Sequence, residues 1–74
     1  MAHTVSAELV GSIGQVSVQV GDTVLATDTL VIIESMKMEI PVLAEVPGVV
    51  SALAVEVGSQ VTEGDVIAVI EAAS

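Results

Sequence analysis

The sequence predicts an all-β fold, with about eight short strands in a sandwich or flattened barrel. Three observations lead there. Valine fills 16 of the 74 positions while Phe, Trp and Tyr are absent, so the core is aliphatic and β-branched, a strand-forming composition. Apolar residues recur either with a period of two or in short unbroken runs between turn residues, and no apolar stripe of period 3.6 survives the glycines. The chain also repeats itself. Shifted by 37 positions, residues 1–34 align with residues 38–71, and twelve of the 34 pairs are identical. This composition alone gives roughly four matches by chance. Gly11/Gly48, Gly21/Gly58 and Asp28/Asp65 are among the matches, and as turn residues they mark equivalent corners of two equivalent halves.

In chain order, "QVSVQV" reads as a strand with Val16, Val18 and Val20 on one face, closed by a turn at Gly21-Asp22. "TLVIIE" follows as a buried strand. Ser35-Met36-Lys37 then connects the halves, and a pseudo-twofold relation between them puts Lys37 on an exposed hairpin tip, facing away from the chain ends. In the second half, "ALAVEV" repeats the alternation with Leu53, Val55 and Val57, Gly58-Ser59 repeats the turn, and "VIAVIE" repeats the buried strand. With no strong linker in 74 residues, the expectation is one unit, residues 1–74, with a small core of a few kcal/mol net stability.

Composition narrows the function. A formal net charge of −9 with no aromatic side chain removes both phosphate neutralisation and base stacking, so nucleic acid is not the expected partner. The same charge disfavours an anionic membrane surface and favours a soluble monomer. The longest uncharged stretch, Leu9 to Gly21, has 13 residues and is too short to span a bilayer. The start, "MAHTVSAELV", lacks the pattern of a secretory signal, so the expected location is cytoplasmic. There is no cysteine, and His3 stands alone near the N-terminus as an expected frayed residue, so no metal site is expected.

The chemistry centres on "ESMKMEIPV", residues 34–42, which holds the only lysine of a chain with ten acidic residues. Read as a continuous strand, "SMKMEI" alternates, with Met36, Met38 and Ile40 inward and Lys37 and Glu39 outward. Its place at the junction of the halves favours a turn tip instead, where two methionines find little core. A catalytic amine does not fit: its charged neighbours in sequence are the acidic Glu34 and Glu39, and no His or Cys stands by as a base. An aliphatic barrel of this size leaves no room for an active-site pocket. A protruding amine suits modification by another protein.

"ESMKM" resembles the biotin attachment motif, with the acceptor lysine between two methionines, and the chain resembles biotinyl/lipoyl carrier domains over essentially its whole length. Gly11 lies 26 residues before Lys37 and Gly48 lies 11 after it, as in that family, and "VGDTV" and "VGSQV" match its turn segments. The resemblance implies a barrel-sandwich of two four-stranded antiparallel sheets with Lys37 on the joining hairpin. It implies a non-catalytic carrier, biotinylated on Lys37 by a biotin protein ligase. The arm then moves a carboxyl group between the biotin carboxylase and carboxyltransferase of an acyl-CoA or related carboxylase. Met36 and Met38 become ligase-recognition residues, with Glu34, Ser35 and Glu39 auxiliary. The same resemblance admits a lipoate carrier for a 2-oxo-acid dehydrogenase or glycine cleavage system. Lipoyl domains, however, have an acid before the lysine and a small residue after it, where this chain has Met36 and Met38. An unmodified assembly module is the remaining alternative. The chain departs from the family where Ala7-Glu8 and Ala44-Glu45 replace Ala-Pro, and where Thr27 replaces a turn glycine that Gly64 retains in the other half. It has no insertion resembling the thumb of some bacterial carriers, which brings it closer to the biotinyl ends of carboxylases and decarboxylases, with a stand-alone carrier as the expectation here.

Overall fold

The computed structural model describes residues 1–72, so the last two positions of the expected 1–74 unit lie outside the described residues. Its strands are β1 Ala2–Ser6, β2 Gly11–Val16, β3 Thr23–Val24, β4 Thr29–Ser35, β5 Met38–Leu43, β6 Gly48–Leu53, β7 Gln60–Val61 and β8 Val66–Ala72. No helix interrupts them among the described residues. They form two four-stranded antiparallel sheets, ordered β1-β8-β6-β3 and β5-β4-β2-β7.

Adding 37 to the bounds of β2, β3 and β4 gives those of β6, β7 and β8, and β1 maps onto β5 with one residue added. The halves do not each form a sheet. They exchange strands, so that each sheet takes two strands from each half. Backbone bonds repeat with the same offset: Gly21 N–H donates to Val50 O as Gly58 N–H donates to Ile13 O, both at 2.8 Å. Side-chain caps repeat too. Leu25 N–H donates to Asp28 Oδ2 as Thr62 N–H donates to Asp65 Oδ2, each at 2.9 Å, the Asx device that closes a turn locally. Gly21 and Gly58, with φ of 98° and 92°, supply the left-handed residue of the preceding turns, Gln19–Asp22 and Glu56–Ser59.

The core lies between the sheets and takes equivalent residues from both halves: Ile13 with Val50, Val24 with Val61, Leu30 with Ile67, Ile33 with Ile70. All are buried, and no polar or charged side chain is buried among the described residues. "TLVIIE" and "VIAVIE" form β4 and β8 as the sequence indicates. The alternating runs differ from expectation. "QVSVQV" and "ALAVEV" contribute only their first residues to β2 and β6, which begin at Gly11 and Gly48. Beyond Val16 and Leu53 the chain leaves its ladder to reach the next turn, so Val18 still packs inward while Val20 and Val57 are exposed.

His3 is likewise not frayed. It lies in β1 opposite Ile70 of β8, and its Nε2 sits 2.8 Å from Glu45 Oε1. Thr27 also has a visible consequence. In the half that keeps Gly64 (φ 95°), Gly64 N–H donates to Ala7 O; in the other half Glu45 N–H donates to Ala26 O, and Glu45 takes a φ of 74°. The left-handed residue has moved across the corner.

Candidate functional site

Hairpin β4–β5 closes on the pair Ser35↔Met38, leaving a two-residue loop of Met36 and Lys37 with φ of 51° and 68°. Two consecutive left-handed residues are the signature of a tight I′-like hairpin turn, normally filled by Asn-Gly because a Cβ is disfavoured there. Each side chain in that region costs about 1–2 kcal/mol, so the packed sheets beneath hold a turn that this sequence does not prefer. The result is projection. Met36 is 92% exposed, Met38 is 58% exposed, and Lys37 is exposed between them.

The base of the hairpin is fixed by the neighbouring strand. Gly11 of β2 lies so close that a Cβ there would meet Ile33 Cγ2 at 2.6 Å and Glu34 O at 2.7 Å. Next to it, Ser35 Oγ donates to Val10 O at 2.9 Å and ties the end of β4 to the β1–β2 connection. The paired chain ends, where Ala72 N–H donates to Met1 O, lie the length of β1 away. Lys37 therefore faces away from them, as the repeat predicts. Gly11 was legible through its spacing from Lys37. Val10 acts through its carbonyl, which no side-chain pattern reveals.

Glu34 and Glu39 face each other across the hairpin, directly below the turn. Directly opposed like charges weaken a strand pair, and the Glu34 side chain runs across Gly14, where a Cβ would meet it at 2.7 Å. Lys37 forms no salt bridge among the described residues, where the Met1 amine pairs with Glu71 and His3 hydrogen-bonds Glu45. The six predicted residues are thus brought together on one hairpin, with an exposed, unpaired primary amine at its tip, the group that an amide-linked cofactor requires. No three His, Cys, Asp or Glu residues are placed to hold a metal among the described residues, and no described helix is long and apolar enough to cross a membrane.

Projection of one amine from a two-sheet frame is the geometry of a carrier domain. Residues 2–70 match the model of the biotin/lipoyl family described as "Biotin-requiring enzyme", and the chain belongs to that family. Among characterised relatives it is 58% identical over 43 residues to the "Biotinylated protein TB7.3 homolog" of Mycolicibacterium smegmatis, covering 58% of this chain. That match spans 61% of the relative's length. Among solved structures, the urea carboxylase of Kluyveromyces lactis aligns with a TM-score of 0.88 and 37% identity, covering 95% of this chain and 6% of that one. A single-chain, multi-domain long-chain acyl-CoA carboxylase aligns with a TM-score of 0.90 and 26% identity, covering 97% and 7%. This chain is thus similar to one small part of each carboxylase.

Proposed function

We propose that this chain is a cytoplasmic biotin carrier, one unit over residues 1–74, whose Lys37 is the attachment point. The carrying observation is the only lysine of the chain held at the tip of a left-handed two-residue turn between two exposed methionines. A biotin protein ligase brings the carboxyl group of biotin in activated form. The Lys37 nitrogen forms an amide bond to its carbonyl carbon, the activating group leaves, and the amine gives up its proton. The chain's only lysine charge is lost, taking the formal net charge from −9 to −10.

Met36 and Met38 are flexible and polarisable, and serve as the contacts through which a ligase groove recognises the turn. Ser35 and Gly11 keep the turn in place, while Glu34 and Glu39 contribute acidic charge beside it. Biotin supplies a ring nitrogen that accepts and returns a carboxyl group. The chain itself contributes reach and a high effective concentration at two successive active sites. Those sites belong to a biotin carboxylase and a carboxyltransferase, with an acyl-CoA or a related small molecule as acceptor, and similarity to parts of two carboxylases supports this assignment. When free of these partners the carrier is a monomer, kept apart by its charge.

Expression beside biotin and lipoate ligases, with both cofactors supplied, tests the reading. Streptavidin is expected to detect the wild-type chain and to miss Lys37→Arg. Lipoyl-specific antibody reactivity instead would redirect the chain to dehydrogenase complexes. Retention of cellular role by an unmodified Lys37→Arg chain would make it an assembly module.

A further inference from the structure

The two sheets meet at a seam between edge strands β1 and β5, and the pseudo-twofold gives this seam two equivalent ends. Near the chain termini, His3 of β1 reaches Glu45 at 2.8 Å and bridges the gap. Near the hairpin the counterparts of that pair, 37 residues away, are Ile40 and Glu8, and a hydrocarbon side chain cannot make the bridge. The seam stays open there as a concavity of about 200 Å³, lined by Leu9, Ile40, Val42 and Leu43 with the polar side chains of Ser6, Glu8 and Glu45. Leu9 and Val42 pack against the core from below and keep part of their surface in the seam.

This opening lies on the strand that leaves the acceptor turn. At about 3.3 Å per residue along β5, Pro41 is roughly 13 Å from Lys37. A lysine side chain extended by the five-carbon acyl chain of biotin spans roughly 14 Å from Cα to ring at ordinary bond lengths. The chemistry agrees with the reach. A thioether ring presents apolar surface suited to Leu9, Ile40 and Val42, and a ureido group presents N–H donors, for which Glu8 and Ser6 offer acceptor oxygens.

We propose that the open end of the β1–β5 seam is an internal resting site for the acyl arm on Lys37. The inference rests on the carrier reading for the identity of the arm. The shallow seam holds the ring between turnovers and releases it to a deeper partner site, because apolar burial there is partial. The breaking of symmetry at His3 and Ile40 sets which end is open.

The test needs no ligase. Lys37 is the only lysine, so an activated ester of biotin acylates it directly; the product labelled there is separated from that labelled at the N-terminal amine by ion exchange at about pH 9, where only the lysine is largely charged, and identified by peptide mass. Amide and methyl NMR spectra of this species are compared with those of the unmodified chain. The expected result is shifted resonances at Leu9, Ile40 and Val42, with nuclear Overhauser contacts to the ring, both lost in Leu9→Glu. Leu43→Glu, at a side chain already 40% exposed, is expected to lose them without disturbing the core. Perturbations confined to Ser35–Glu39, with no contact between ring and seam, would overturn the proposal. Since the acylation is chemical, refusal of the chain by a ligase would count against the carrier reading alone.

Discussion

At the residue scale, the Met36-Lys37 turn sets projection of the amine against local backbone preference. Met36 and Lys37 both occupy the left-handed region, where asparagine or glycine is the less strained occupant. Met36→Asn is therefore expected to raise stability by about 1 kcal/mol, or about 4–8 °C in Tm for a chain of this size. It is also expected to slow biotinylation, a combination that thermal melts and ligase kinetics would display together. Unchanged ligase kinetics would remove Met36 from recognition. Ser35→Ala deletes the bond to Val10 O and is expected to lower stability by about 1 kcal/mol, with faster amide exchange in the turn as its direct sign. The exposed placement of Lys37 and its two methionines was legible in the sequence because chemistry-bearing side chains at a repeat junction stand out. The left-handed Glu45 and the role of Val10 were not, since both depend on where another part of the backbone arrives.

At the element scale, the 37-residue repeat foretold eight strands and two equivalent turns but not how the sheets are assembled. Self-similarity says that two halves have one shape; it does not say whether they lie side by side or exchange strands, as β1 and β3 do with β6 and β8. The ends of β2 and β6 were misplaced for a related reason. Apolar alternation continues through Val20 and Val57 after pairing stops, because a chain that bends toward the core keeps alternating without a ladder. The glycines report close approach at the same scale. A Cβ at Gly48 would strike the backbone of Glu71 and Ala72 in β8, whereas one at Gly21 meets nothing within 4 Å. Gly48→Ala is thus expected to separate β6 from β8 and destabilise by about 1–3 kcal/mol. Gly21→Ala carries only the conformational cost of about 1–2 kcal/mol. Urea denaturation of the two variants distinguishes them, and a Gly48→Ala chain as stable as wild type would mean that β6 and β8 yield easily.

At the scale of the whole molecule, a formal net charge of −9 is carried by a body 37 Å long and 19 by 17 Å across. Acidic groups this close repel one another in the folded state, and salt at about 0.1 M screens them beyond about 10 Å. Thermal stability is therefore expected to rise as sodium chloride increases from about 0.01 to 0.1 M; a flat response would mean that the charges are already compensated locally. The same charge leaves Lys37 conspicuous as the chain's only lysine, and the proposed function turns on its acylation. The most direct test is intact-mass spectrometry of the purified chain after incubation with biotin protein ligase, ATP and biotin, beside Lys37→Ala. One biotinyl group is expected on the wild type and none on the variant; an unmodified wild type, or a biotinyl group that persists in Lys37→Ala, would rule out Lys37 as the attachment point.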